Sequence, residues 1–347
     1  MSKFPELDRF IGQAADAGVS TGTGDFLTKG QLPPEAMKEY YDLTLVETTM
    51  LKEATFHDVE GPALWMDSIL IAPGQTTVGQ AELSETADAD VALPTFDQTT
   101  FAPVAFEYDM PIGMKQFYFR NIEQAGIVAR LQRASGIAFM NDVEDNAINS
   151  NTTGSTPVGY HTGMLTQTDG WFKKARTYGH TIDAGGEYVN PGVFYDLWHK
   201  LPAKWRQDPY AGQFKFYCMP DVLDAFSFWF TAKNMYMPWD FKYVDGQLMF
   251  RSVPIVPVPK IKSGAGVLSM SATASGLTSI LLARPQDLVV AYQGGLVMHS
   301  ALRPRDGKVL YNHLENLYDF GFTFYDTVAI SDNVHPTIDP SLVTAMA

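Results

Sequence analysis

The sequence predicts an α+β fold, and three stretches carry that prediction. Residues 121–150 contain no proline and repeat apolar residues at helical spacing, which predicts a helix roughly 42 Å long at about 1.5 Å per residue. Residues 61–111 begin and end with runs that are typical of strands, and residues 296–331 are rich in aromatic and β-branched residues that favour hairpins. A long helix beside strands indicates a structural beam more than a catalytic pocket.

The N-terminal part divides into two predicted segments. Residues 1–34 are rich in glycine, threonine, serine and aspartate, which is typical of a loosely held arm with little core of its own. A helix is predicted over residues 35–54, because Met37, Tyr41 and Leu45 recur at near-helical spacing. Residues 57–62 are predicted to end that helix.

Residues 61–111 have an unusual charge pattern. They contain eight acidic residues and no lysine or arginine, and so carry more than half of the formal net charge of −14. A two-stranded ribbon of this length is marginal alone in water, so we expect it to rest on another surface. Two interpretations stay open: a solvated hairpin, or an acidic arm that reaches a basic surface on a neighbouring subunit.

The long predicted helix has an apolar and a polar side. Arg130, Arg133 and Glu144 lie opposite the apolar stripe and are expected to be wet or to bind a partner. Asp142 and Asp145 share a face near the end, where nothing nearby completes an acid–base or calcium site, so they indicate a polar helix end. The stripe consists of Ile127, Leu131, Ala134 and Ala138, widened by Val128, Phe139 and Val143.

The middle of the chain mixes helices and short strands. The three prolines of the segment RSVPIVPVPKI predict an extended strand that lies at a sheet edge or leaves the sheet. The other predicted elements are a helix from Pro191, a buried strand in QFKFYCMP, a helix in PDVLDAFSFWFTAKN, a hairpin around Asp245–Gly246, and two short strands, or a strand and a turn, in SILLARPQDLVVAY.

Composition excludes several classes of protein. Hydrophobic residues make up 46% of the 347-residue chain, which is ample for a core and argues against global disorder. The negative net charge argues against a nucleic-acid-binding surface spread over the whole protein. No apolar run approaches the roughly 18 residues of a membrane-spanning helix, and the start lacks a signal-peptide core, so we expect synthesis in the cytoplasm and no membrane contact.

The sequence offers no recognisable catalytic or metal site. The seven histidines never come within four residues of each other, and phosphate-loop and nucleophile-elbow motifs are absent. Cys218 is the single cysteine and lies in an apolar run, which favours an inert core thiol. Basic residues gather in WFKKART, HKLPAKWR and LRPRDGK, where surface positions are favoured over a nucleic-acid site. We therefore expect no catalytic residues, no cofactor and no metal, and a protein that is not an enzyme.

The order of these parts resembles the major capsid proteins of tailed bacteriophages with the HK97 fold. The segments that carry the resemblance are LPAKWR, FKFYCMPDVLDAF, VDGQLMFRSVPIVPVPKI and ILLARPQDLVVAYQGGLVMHS, which follow the arm, the charged excursion and the long helix. The resemblance covers most of the chain and rests on order and local character, because that family has no catalytic signature.

The resemblance implies a division into named parts. These are an N-terminal arm (1–58), an E-loop lying over an adjacent subunit (59–112), a peripheral domain with its spine helix (113–160), a mixed α/β axial domain (161–290), and peripheral strands with a C-terminal tail (291–347).

The resemblance also implies a function. Copies of the chain would assemble into hexamers and pentamers of an icosahedral head around double-stranded DNA, first in the host cytoplasm and finally in the virion. A separate scaffolding protein, a portal and a decoration protein would be partners. No lysine occurs between Lys52 and Lys115, so the lysine–asparagine isopeptide bond that some members form cannot start from this E-loop, and we expect a non-covalent shell.

The sequence suggests one intersubunit contact. The acidic residues at the predicted tip of the E-loop are expected to face arginines on the long helix of a neighbouring subunit. The candidates are Glu82, Glu85, Asp88 and Asp90 on the loop and Arg130 and Arg133 on the helix. Two other functions remain open at this point, an encapsulin-like nanocompartment shell and a soluble hydrolase that uses scattered carboxylates.

Overall fold

A computed structural model of the chain describes its residues in eleven ranges. These are 30–31, 48–61, 63–70, 95–113, 124–154, 163–207, 213–232, 241–244, 247–261, 276–302 and 309–341. The described helices are α1 (Gln124–Asn149), α2 (Trp171–Tyr178), α3 (Pro191–Lys200) and α4 (Pro220–Ala232). The described strands are β1 (Gly30–Gln31), β2 (Thr55–Asp58), β3 (Leu64–Leu70), β4 (Thr95–Phe101), β5 (Val104–Gly113), β6 (His180–Asp183), β7 (Lys215–Cys218), β8 (Phe241–Val244), β9 (Gln247–Phe250), β10 (Val253–Pro257), β11 (Thr278–Ala283), β12 (Leu288–Leu302), β13 (Val309–Phe322) and β14 (Ala329–Val334).

The first sheet is built on the long antiparallel pair β12 and β13. Strand β5 extends it on the β13 side, while β1 and β2 pair with β12 on the other side. Helix α1 packs against this sheet, where the rings of Phe139 and Tyr318 lie 6.1 Å apart and Phe106 contacts Tyr318 edge-on. The predicted long helix is confirmed. Of its predicted apolar stripe, Phe139 and Val143 are buried, whereas Ala134 is exposed.

The second sheet has seven described strands in the order β6-β14-β11-β7-β10-β9-β8. Its core with α3 and α4 is dominated by aromatic rings, and Phe194 contacts both Phe216 and Phe226. Helix α3 begins at Pro191, as predicted, and Asn190 caps it by accepting a hydrogen bond from the backbone N–H of Val193.

The two sheets are joined by two short turns that lie side by side. Residues Pro285–Asp287 connect β11 to β12, and Tyr325–Thr327 connect β13 to β14. The buried Asp287 accepts a hydrogen bond from the Thr327 hydroxyl at 2.6 Å and is paired with the guanidinium of Arg284. Strand β14, which follows the second turn, belongs to the second sheet.

A two-stranded ribbon of β3 and β4 leaves the first sheet. Trp65 pairs with Thr100 in its register, and Leu64 pairs with Phe101. The sequence predicted a strand-like run at the end of residues 61–111, and the structure divides this returning part into two strands. Strand β4 ends at Phe101 and β5 begins at Val104, because the chain passes from the ribbon to the first sheet at Ala102 and Pro103.

Three local predictions are corrected. Residues 48–54 form bends and turns rather than the end of a helix. Helix α2 was not predicted; the sequence drew attention only to the basic residues of WFKKART within it. Strand β10 lies inside the second sheet rather than at its edge, because its first residues pair with β9 and its last residues pair with β7. Pro254 pairs only with β9 and Pro257 only with β7, so neither proline has to form ladder hydrogen bonds with strands on both sides.

Candidate functional site: the root of the acidic ribbon

The predicted contact residues fall into two groups. Glu82, Glu85, Asp88 and Asp90 lie outside the described residues. Arg130 and Arg133 lie in the first half of α1, whose backbone is described there while their side chains are not. The contact between the two groups therefore stays a prediction, and the described geometry concerns the place where the ribbon joins the body.

The returning side of the ribbon is held by the carboxylate of Asp319 on β13. Its Oδ2 accepts the backbone N–H of Ala102 at 2.9 Å, directly after the last residue of β4. Its Oδ1 accepts the Thr168 hydroxyl at 2.8 Å and the Lys174 ammonium at 3.0 Å. Asp319 is only 5% exposed, so these donors replace water around its charge.

The ring of Phe101 lies in a slot beside this carboxylate. A Cβ added at Gly321 would come within 2.6 Å of the ring, so the slot exists because residue 321 has no side chain. The Lys174 ammonium lies 5.5 Å from the ring centroid, within the range of a cation–π contact, and also donates to the carbonyl of Phe320. Lys174 thus contacts both the Asp319 carboxylate and the Phe101 ring.

The outgoing side of the ribbon is held mainly through the backbone. The N–H of Val59 donates to the carbonyl of Tyr292 at 2.8 Å, and the Gln293 side chain donates to the carbonyl of Gly61 at 2.7 Å. The Val59 side chain packs with Phe101 in one small buried cluster, against which Leu64 and Met66 are partly buried. Trp65, between those two residues, is 58% exposed, so the ribbon turns one face to the body and the other to its surroundings.

The segment just before the ribbon is bound by Glu144 of α1. The Oε1 atom of Glu144 accepts the backbone N–H groups of Thr49, Met50 and Leu51 at 2.7, 2.8 and 3.4 Å. The expectation that Glu144 lies on a wet face is wrong, since it is 1% exposed under this segment. Burial raises the pKa of the Glu144 carboxyl, while the three N–H groups and the charge of Lys260 lower it by less.

The same segment is tied to the second sheet through Glu53. Its carboxylate accepts the Lys215 ammonium at 2.5 Å and the Tyr217 hydroxyl at 2.7 Å, both from β7. Burial, and then the charge of Glu53, raise the pKa of the Tyr217 phenol, so it remains a donor at neutral pH. Residues 49–53 therefore contact α1 and β7 immediately before β2 joins the first sheet.

The end of α1 is also more buried than the sequence suggested. Asp145 is 4% exposed and accepts the Asn149 amide at 2.6 Å, which also donates to the carbonyl of Lys260. Asn146 accepts the backbone N–H of Leu165, whose φ of +65° is unusual for a residue other than glycine. Asp145 belongs to the polar helix end that the sequence indicated, and this end is a buried, hydrogen-bonded joint.

The basic segments, expected at the surface, bind carboxylates of the same chain. Lys174 pairs with Asp319, and Arg176 pairs with Asp332 at 2.6 Å, with both side chains largely buried. Lys204 forms an exposed pair of 2.9 Å with Asp326. Of these segments, WFKKART thus contributes to internal structure, while Arg303 and Arg305 lie outside the described residues.

Other kinds of site find little support in the described geometry. Cys218 is fully buried, and burial raises the pKa of its thiol to about 12, as expected for an inert core residue. The described ranges contain no group of three or more histidine, cysteine or acidic residues arranged to hold a metal ion. No helix in the part of the chain that is described is long and apolar enough to cross a membrane.

Solved structures share this architecture over nearly the whole chain. The procapsid of satellite phage P4 matches with a TM-score of 0.56 at 12% identity, covering 95% of this chain and 98% of that one. The holo-SrpI encapsulin of Synechococcus elongatus matches with a TM-score of 0.53 at 15% identity, covering 90% and 94%. The capsid of cyanophage Pam1 matches with a TM-score of 0.50 at 11% identity, covering 83% and 93%.

The chain has the HK97 fold. The fold predicted from the order of sequence segments is thereby confirmed at the level of the α+β architecture, and the domain boundaries stay a prediction. Neither a protein-family model nor a curated protein sequence matches this HK97-fold chain. The sequence analysis did not identify Asp319 as a functional residue and did not predict that Glu144 is buried. For Asp319 the available signal was a charged residue within the otherwise apolar run LYDFGF.

Proposed function

We propose that the chain is a structural shell protein, the major capsid protein of a tailed bacteriophage. The observation that carries the proposal is the shared fold with the P4 procapsid protein over 95% of this chain and 98% of that one. In this proposal, copies assemble into hexamers and pentamers of an icosahedral head that encloses double-stranded DNA. The protein acts as a building element and not as an enzyme.

The partners follow from that role. The chain binds other copies of itself, a scaffolding protein during assembly, a portal at one vertex and, after assembly, a decoration protein. It assembles in the host cytoplasm and ends in the virion, where it encloses DNA without reading its sequence. The ribbon reaches the neighbouring subunit, and its acidic tip meets Arg130 and Arg133 there. The exposed Trp65, on the face turned away from the body, supports such a reach.

The proposal is tested by measuring the size of the assemblies that purified protein forms and by imaging them. Gel filtration with light scattering, followed by negative-stain microscopy, should show capsomers or closed shells. A stable small oligomer with no shells, over a range of concentration and with the phage's scaffolding protein present, would overturn the proposal.

The encapsulin match supports a second candidate, a nanocompartment shell. The contents of purified particles separate the two functions. DNA and a portal are expected for a phage head, whereas an enclosed cargo enzyme without DNA would favour the compartment.

A further inference from the structure

The joint between ribbon and sheet offers few backbone hydrogen-bond donors. It consists of Ala102 and Pro103, between the end of β4 and the start of β5. Proline has no N–H, so Ala102 supplies the joint's one backbone donor. That donor binds Asp319, a side chain 217 residues further along the chain. On the returning side of the ribbon, the backbone of the joint is thus held by a single side chain.

We propose that Asp319, with Lys174 as its partner, is a lock that fixes the ribbon at a set angle to the first sheet. Asp319 binds the ribbon at Ala102, the loop before α2 at Thr168, and α2 itself at Lys174. These three contacts cannot all persist if the ribbon turns about its root. The lock is therefore a positioning device, separate from the contact that the ribbon's tip makes.

Packing of the Phe101 side chain adds a second contact that holds the ribbon in place. Its ring is fully buried in the slot over Gly321, and the Lys174 ammonium lies above it. A turn of the ribbon would withdraw the ring from the slot and at the same time remove the Ala102 N–H from Asp319. Because Lys174 contacts both groups, removal of its charge weakens both sides of the lock.

Burial of the charge makes the lock stiff. The side chains of Lys174 and Asp319 are 15% and 7% exposed, so water does not readily replace either partner. Hydrogen bonds to charged groups at such sites are stronger than those between neutral groups, and a charge left without its partner is costly. Only the position with all contacts made is thus strongly favoured.

A preset ribbon angle has a consequence for assembly, and this step rests on the proposed function. A segment that is already held in its binding direction loses less conformational freedom when it meets a neighbour. Loosening the lock should therefore slow shell formation, although Asp319 and Lys174 are themselves largely buried.

Hydrogen exchange on the unassembled protein tests the lock directly. In Asp319→Asn and in Lys174→Met, the amides at the root of the ribbon, those of Ala102 and Val59, should exchange about ten- to a hundredfold faster, as expected when a charged hydrogen bond is lost. Amides of α4 and β7, in the second sheet, should keep their rates. Unchanged exchange at the root of the ribbon in both variants would overturn the proposal.

Two matched control variants distinguish a specific effect of Asp319 on the ribbon from a general destabilisation of the fold. Asp332→Asn breaks the largely buried pair with Arg176 in the second sheet, and should speed exchange in β14 and β11 but not in the ribbon. Asp326→Asn breaks the exposed pair with Lys204 and should leave exchange unchanged. Equal acceleration of the ribbon in Asp332→Asn would overturn the proposal.

A milder variant covers the case in which Asp319→Asn does not fold. Thr168→Val removes one donor to Asp319 and keeps the charge pair, so a smaller acceleration confined to the same peptides is expected. Assembly is measured separately by light scattering. If the wild-type chain forms no shells, the proposed function fails while the exchange result still decides the lock. If the loosened variants assemble at the wild-type rate, the lock's role in assembly is refuted.

Discussion

The buried carboxylate of Glu144 accepts the backbone N–H of Met50 over 2.8 Å and across 94 residues of sequence. It accepts the N–H groups on either side of Met50 as well, so one oxygen caps the first donors of the turn at residues 50–54. Such donors are usually satisfied by a side chain close by in sequence. Here the cap comes from the long helix and attaches the segment before the ribbon to it.

Replacement of Glu144 by Gln should change how stability depends on pH. The folded pKa of Glu144 lies above its ordinary value of 4.5, so the folded chain holds this proton more tightly than the unfolded chain. The group therefore adds stability as pH falls through the folded pKa towards about 4.5. Glutamine cannot take up the proton. We therefore expect the free energy of unfolding of the wild type to rise relative to that of Glu144→Gln as the pH is lowered from 7 to about 4.5.

Urea denaturation of dilute, unassembled protein at several pH values gives this difference. Glu187→Gln, at an exposed carboxylate, serves as the matched control and sets the baseline for loss of one charge. A difference that stays flat or shrinks towards acid would contradict the role assigned to burial.

Replacement of Gly321 by Ala should destabilise the ribbon root. The new Cβ would lie 2.6 Å from the Phe101 ring, and overpacking of this kind typically costs about 1–3 kcal/mol. The double variant Gly321→Ala with Phe101→Leu should recover part of the loss, because a smaller side chain leaves room for the methyl group. Thermal unfolding of the two single variants and the double variant measures this coupling; strictly additive effects would argue against the slot.

Removal of the Asp287 carboxylate should be among the most damaging single changes. Asp287→Ala leaves the Arg284 guanidinium buried without its bidentate partner, and a broken buried pair typically costs about 3–5 kcal/mol. Asp326→Ala removes the carboxylate of an exposed pair and should cost less than about 1 kcal/mol. Chemical denaturation compares the two variants, and similar losses would show that burial of the first pair matters little.

Reversal of the charge at the ribbon's tip should impair assembly and leave folding intact. In Glu82→Lys with Glu85→Lys, two carboxylates expected to face Arg130 and Arg133 of a neighbour become repulsive. Shell yield should fall and become more sensitive to salt, while the circular dichroism of the monomer stays unchanged. Asp221→Lys with Asp224→Lys is the matched control, at two exposed carboxylates with the same spacing on α4. Normal shells from the tip variant would refute the contact.

Assembled shells should be held together without covalent links between subunits. The stretch between Lys52 and Lys115 has no lysine to start an isopeptide bond from the ribbon. Particles heated in SDS should therefore run as monomers near 38.4 kDa. A ladder of oligomers that survives heating would contradict this expectation.

Local patterns in the sequence predicted most helices and strands. The helical repeat of α1, the proline at the start of α3 and the hairpin of β8 and β9 depend on neighbouring residues, so a single sequence can show them. The prediction failed where the partner is distant. Nothing near Glu144 reveals that residues 49–51 will cover it, and the prolines of β10 do not reveal that its two halves pair with different strands.

The candidate site was less predictable than the fold for the same reason. The acidic ribbon was visible as a run without lysine or arginine, but its attachment to Asp319 joins residues 217 positions apart. The sequence showed the charged residues of WFKKART and left their partners open. Whether Lys174 faces solvent or Asp319 is decided by the packing of α2 on β13, which no local pattern encodes.

The side-by-side placement of the turns Pro285–Asp287 and Tyr325–Thr327 has a mechanical consequence. The ribbon joins the first sheet along the chain at β2 and β5, and the chain leaves β12 and β13 for the second sheet through these two turns. Asp287 links the turns through the Thr327 hydroxyl and through its own carbonyl, which accepts the N–H of Thr323. The two connections are therefore tied to each other through Asp287, so a displacement of one turn strains the contacts of the other.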